Sequence, residues 1–176
     1  MNYIKTGIAC AFVAGIYAPQ SMAMPKLNGK EKKVNRMETQ TEKNKTVVRR
    51  FNKEVIEEGN VDSFKELMDE KFINHSAPEG ADNGPQGMIK TFNTILRPAM
   101  PDMKVTIYEQ VAEGDLVTTR KNITGTQTGT LMGIAPTGRK LSIDVIDIVR
   151  VKNGKYFEHW GINTLPSVMA QLKNSR

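Results

Sequence analysis

Cysteine is nearly absent from this chain: Cys10 stands alone, and it falls within an N-terminal segment that reads as a signal peptide. Once that segment is removed, disulfides, thiol nucleophiles and thiolate metal sites are excluded, which suits an oxidising compartment. Histidine is almost as scarce. His75 and His159 are the only two, and the His-x-Glu and His-x-x-x-His spacings that bring metal ligands together do not occur, so neither a metal nor a cofactor is expected. No later stretch approaches the run of about 20 apolar residues that a membrane-spanning helix needs, so no integral membrane segment is expected. The glycines at 125, 129, 133 and 138 precede Arg139-Lys140, but without Gly-Lys-Ser/Thr or a following helix they do not make a phosphate loop.

The first 23 residues have the three parts of a secretory signal: Lys5 in a short basic start, an uncharged apolar run over 6–18, and small residues at Ser21-Met22-Ala23. A mature chain beginning near Met24 is expected in the periplasm or outside the cell, whereas translation from Met37 would give a cytoplasmic protein. The net charge of +6 invites a nucleic-acid reading, but its distribution opposes one. Residues 24–45 hold seven Lys or Arg against three acids, and residues 46–176 hold seventeen against sixteen. The excess sits in a polar segment that reads as a flexible basic linker, so no nucleic-acid partner is expected.

Residues 46–176 read as one α+β domain. Val47, Val48, Phe51 and Val55 recur at helical spacing and predict a helix from about Lys45 to Glu58, stopped by Gly59-Asn60. A short helix follows from Asp62, then a strand at Phe72-Ile73-Asn74-His75. Pro85 opens a third helix with Met88, Phe92, Ile95 and Leu96 on its core face. After Pro101 the period changes to two, which predicts strands at 103–112, 116–126, 140–152 and 155–163, the last two joined by an Asn153-Gly154 hairpin turn. Helices followed by a curved antiparallel sheet enclose a pocket. Both phases of the last two strands carry apolar residues, so both sheet faces should be covered, the second by a homodimer partner.

One residue interrupts this pattern. Leu141, Ile143, Val145, Asp147, Val149 and Val151 share one face, and the fourth is a carboxylate. An unpaired buried carboxylate is costly and its pKa rises, so Asp147 needs either a partner or a task such as general acid/base chemistry. Arg120 shares a row with Leu116, Thr118, Asn122 and Thr124, and if that row faces inward Arg120 pairs with Asp147 and lowers its pKa instead. His75, beside a loop, is a candidate proton carrier or enolate donor. His159 and Glu158 are neighbours on a strand and should face opposite sides, so only one of them lines the pocket. Met132 is an adaptable lining residue for an apolar ligand.

Taken together, several segments resemble the SnoaL-like polyketide (ester) cyclases of the NTF2-like superfamily. They are Val48-Arg49-Arg50-Phe51-Asn52 with Glu58-Gly59-Asn60, Phe72-Ile73-Asn74-His75, Gly84-Pro85-Gln86-Gly87, Pro101-Asp102, residues 125–129 with 132–138, Ile146-Asp147-Ile148, and Gly154-Lys155 with Glu158-His159-Trp160-Gly161. The resemblance implies a cone-shaped α+β barrel around an apolar cavity, commonly a homodimer. It also implies an aldol-type ring closure that uses an aspartate as acid/base and no metal or cofactor.

The carboxylates that match are Asp147 and Glu158, with His75 as the third catalytic candidate. Trp160, Arg120, Phe51, Asn74 and Met132 are the candidates for binding a small apolar or aromatic carbonyl compound. Many members carry an aspartate four residues after the tryptophan, where this chain has Thr164, which cannot be a general base near neutral pH. The same pocket would also suit isomerisation, dehydration, hydrolysis or simple ligand or protein binding.

Overall fold

The computed structural model describes residues 39–174. The expected signal peptide and most of the expected linker lie outside these residues. Helix α1 (Gln40–Arg50) is capped by Thr39, whose hydroxyl accepts from the Glu42 N–H. It begins five residues before the expected start at Lys45. Residues 40–45, read as linker, therefore belong to the fold. Their contact is polar and left no apolar signal: Asn44 is buried and donates to the Gly114 carbonyl in a distant turn. The helix continues as wider π-type turns over Phe51–Glu57 and ends at Gly59, whose φ of +74° disfavours a side chain.

Helix α2 (Val61–Leu67), capped by Asn60, leads into strand β1 (Met68–Asn74), which is longer than the four residues expected. Helix α3 (Pro85–Lys90) has proline in its first turn and runs through π-type turns over Thr91–Leu96 into the short α4 (Arg97–Ala99). The Arg97 guanidinium donates to the Val55, Ile56 and Glu57 carbonyls, satisfying the open end of the first helix and joining the two helical layers. Strands β2 (Lys104–Glu113), β3 (Leu116–Thr126), β4 (Lys140–Lys152) and β5 (Lys155–Asn163) follow, then α5 (Leu165–Asn174).

The five strands form a sheet in the order β1-β5-β4-β3-β2, in which β1 pairs parallel with β5 and the remaining pairs are antiparallel. This is the α+β arrangement expected, with helices on one face of a mostly antiparallel curved sheet. Val48, Phe51 and Val55 pack against Val117, Ile123 and Ile143, which are all buried on the inner face. Each such side chain contributes about 1.5–3 kcal/mol relative to exposure.

Two features decide which side chains reach that inner face. In β3 the inward phase is Val117, Thr119, Lys121 and Ile123, the opposite of the row that contains Arg120. In β5 the register shifts between Arg150 and Val151 of its partner: Val151 stands opposite Tyr156 and Arg150 opposite Glu158, so Phe157 is the extra residue of a β-bulge. The bulge reverses the alternation. Tyr156, His159 and Gly161 face inward, while Glu158, Trp160 and Ile162 face out.

Candidate functional site

The helices and the inner sheet face enclose a cavity of about 560 Å³. Phe51, Ile56, Phe92, Leu96, Ile123 and Val145 supply apolar wall, and the segment after β1, from Ser76 to Asp82, borders one side. A larger, open groove of about 840 Å³ lies beside the start of α1, bordered by Asp115, Arg150 and Glu158. These groups are paired with one another and in contact with solvent. The enclosed cavity is where polar groups are dry enough to act strongly.

Its polar end is built from three strands and one helix. Asp147 (β4) and Lys121 (β3) have side chains only 4% exposed, and the Lys121 ammonium donates to Asp147 Oδ2 at 2.6 Å. The same ammonium donates to Asn52 Oδ1 at 2.7 Å, while Asn52 gives its own N–H to the Val48 carbonyl. His159 (β5) places Nε2 3.7 Å from Asp147 Oδ2. Burial alone would push the Asp147 carboxyl up, but the Lys121 charge, joined by His159 when its ring is protonated, outweighs it and holds Asp147 below the ordinary aspartate value.

The orientation of His159 follows from its neighbours. Asn74 Oδ1 accepts the Ser76 backbone N–H at 3.0 Å, which identifies that atom as oxygen, and it lies 2.9 Å from His159 Nδ1. Nδ1 must therefore be the donor, and in the neutral ring the lone pair is on Nε2, beside Asp147. Gly161 makes room for this ring: a Cβ there would lie 3.0 Å from His159 Cε1 and 3.1 Å from Nε2. Two buried polar atoms have no hydrogen-bond partner among the described residues, Asp147 Oδ1 and the Tyr156 hydroxyl. Tyr156 stacks on Phe51 with 4.0 Å between ring centroids, and burial followed by the Asp147 charge pushes its phenol well above the ordinary value, so it remains a donor.

Of the residues singled out in the sequence, Asp147, Asn74 and Phe51 line this cavity, and Met132 borders it while remaining largely exposed. Arg120 does not. Its side chain faces solvent, pairs with Glu109 and lies over the Tyr108 ring, because the strand phase is the reverse of the one expected. The partner of Asp147 is the adjacent lysine, and the period-two apolar residues Val117 and Ile123 on either side of it were the available signal.

His75, Glu158 and Trp160 are also elsewhere. His75 stacks on Trp160 and contacts Glu158 through Nε2 at 3.1 Å, on the outer face. Of the Glu158–His159 pair, the histidine faces the cavity. Tyr156 joins it there through the bulge, which the alternating pattern alone conceals. Thr164 exchanges backbone and hydroxyl hydrogen bonds with Asp144 and so fastens the end of β5 to β4.

The family model of SnoaL-like polyketide cyclases matches residues 46–172. The chain belongs to this family. Comparison with curated proteins gave no match. Among solved structures, wild-type IdmH from Streptomyces antibioticus, described as a candidate polyketide cyclase, is 27% identical and superposes with a TM-score of 0.65 over 74% of this chain and 98% of that one. TsrD from Streptomyces laurentii is 24% identical, with a TM-score of 0.67 over 77% and 98% of the two chains. An LEH-like epoxide hydrolase from M. tuberculosis, at 11% identity and a TM-score of 0.59 over 77% and 93%, shares the fold alone. These neighbours place the SnoaL-like domain within the NTF2-like cone fold.

Proposed function

We propose that the SnoaL-like cavity binds a small apolar or aromatic carbonyl compound and moves a proton α to its carbonyl without a cofactor, as in an aldol-type ester cyclase. The observation that carries this reading is the pair of unpartnered buried atoms, Tyr156 Oη and Asp147 Oδ1, among the residues that line the cavity beside its apolar wall. The phenol is a donor for a carbonyl oxygen that becomes an enolate oxygen. His159 Nε2 receives the α-proton, and Asp147 stabilises the imidazolium that results. Lys121 keeps Asp147 ionised, so the carboxylate acts through charge rather than as the base itself.

Exchange of the α-protons of 4-phenylbutan-2-one into deuterated water, followed by NMR, tests the reading. Catalysed exchange that falls roughly 10²- to 10⁴-fold in His159→Gln and Asp147→Asn is the expected result. Binding without catalysed exchange would favour a non-catalytic ligand-binding module, a reading supported by the neutralisation of Asp147 by Lys121.

The outer sheet face supports a homodimer. Ile146, Ile148 and Ile162 are exposed there beside Trp160, flanked by the balanced pairs Arg120–Glu109 and Arg150–Glu158, a surface that a two-fold copy would complement. Sedimentation of Ile162→Glu should show a loss of dimer.

A further inference from the structure

We propose that Lys121 forms an imine with the ketone or aldehyde held in this cavity. The inference rests on the carbonyl-binding reading above and adds a covalent step to it. Lys121 is a cavity-lining amine on β3, a strand paired on both sides, and is held in place by Asn52 Oδ1 and Asp147 Oδ2. An ammonium has three N–H groups, and these two oxygens account for two of them. An amine attacks a carbonyl only when it is neutral, so a proton acceptor is required beside it.

The geometry supplies one. Asp147 Oδ2 touches Lys121 Nζ at 2.6 Å and stands 3.7 Å from His159 Nε2, whose lone pair the Asn74 hydrogen bond leaves on that side. Passing the proton from Lys121 to His159 replaces one cation beside Asp147 by another. With Asp147 Oδ2 as the relay, the net charge of the buried cluster does not change and Asp147 has a positive partner before and after the transfer, so the step leaves no stranded buried charge of the kind that makes such transfers costly.

The atoms balance as follows. The Nζ lone pair adds to the carbonyl carbon while the C–O π electrons move to oxygen, and a proton shifts from nitrogen to that oxygen to give a carbinolamine. The hydroxyl then leaves as water with the proton held on His159, and the nitrogen lone pair closes the C=N bond. Lysine ammonium and ketone become iminium and water. The positive charge returns to the lysine nitrogen, next to Asp147, and His159 is again neutral and free to take an α-proton. The iminium is a stronger electron sink than a hydrogen-bonded ketone, so the α-proton becomes more acidic at the site where the base waits.

The test is to incubate the full chain with 4-phenylbutan-2-one and sodium cyanoborohydride, then map the peptides by mass spectrometry, while saturation-transfer NMR reports binding of the same ketone. The expected result is a mass increment equal to the ketone less its oxygen on Lys121, at least about tenfold above any solvent-exposed lysine. Lys121→Arg should bind the ketone and carry no such adduct. If that variant does not fold, Lys121→Met with Asp147→Asn, which removes both charges together, takes its place. A ketone that binds and exchanges its α-protons with no excess labelling at Lys121 would overturn the imine and leave the proton-transfer reading intact. Failure of the ketone to bind at all would overturn both.

Discussion

Strands β4 and β5 carry an acid–base cluster on each face, and the two differ in solvent rather than in composition. On the inner face Asp147 and Lys121 are 4% exposed and His159 16%. On the outer face Glu158 is 22% exposed, Arg150 33%, His75 35% and Asp115 51%. Both clusters hold carboxylates below their ordinary pKa. For Glu158 the cause is first the His75 hydrogen bond and then Arg150; for Asp147 the partners must first offset burial. An outer pair that loses a member is resolvated by water. An inner pair that loses a member leaves a charge with nowhere to go, which is why the inner cluster can be both a structural hazard and a chemical device.

The largest effect expected from this difference is on stability. Lys121→Met alone, or Asp147→Ala alone, should destabilise the fold by about 3–5 kcal/mol, and the double variant should recover most of the loss, since no lone charge is left buried. Denaturant midpoints of the three proteins check this, and additive losses would show that the pair is not coupled. A smaller effect, about 1–3 kcal/mol, is expected for Gly161→Ala, whose new methyl crowds the His159 ring. It should lower α-proton exchange by more than its stability loss accounts for, a split that a purely structural glycine would not produce.

Acid titration sharpens the comparison further. Because the folded pKa of Asp147 lies below 3.8, its stabilisation is present above that value and is lost as the pH falls through the lower folded value. Asp147→Asn should therefore flatten the acid limb of the stability profile. Glu57 behaves likewise: burial alone would raise it, but Lys53, the Val105 N–H and Lys104 pull it down to about 2, so its contribution fades between about 4.5 and 2. Glu158→Gln should give the smallest change of all, with a thermal midpoint at neutral pH indistinguishable from that of the unsubstituted chain at dilutions where the chain is monomeric. A drop that emerges only at concentrations where the proposed dimer forms would place the outer cluster beneath the second copy.

The sequence shows the frame of this fold more clearly than its facing. The bounds of β3, β4 and β5 follow from period-two runs, and the β4–β5 turn from Asn153-Gly154, whose φ angles of +51° and +75° are those the dipeptide favours. Asp147 is legible because a charge breaks an apolar row. Lys121 is only faintly so: Val117 and Ile123 share its phase, but both phases of β3 mix polar and apolar residues, and a lysine reads by default as solvated. The start of α1 rests on polar contacts from Thr39 and Asn44, which periodicity does not register. Helix α5 passed without an expectation because it is short and buries a single residue fully, Leu172.

The bulge at Phe157 sets the arrangement of the whole site through a single count of residues. Upstream of it a side chain at an even number faces inward, as Tyr156 does, and downstream the odd numbers do, as His159 does. Were Phe157 paired in regular register instead of bulged, strict alternation would let the strand keep either Tyr156 or His159 in the cavity but not both. A phenol donor and an imidazole base three positions apart on one strand are therefore a consequence of one inserted residue, and the insertion is as much a part of the chemistry as either ring.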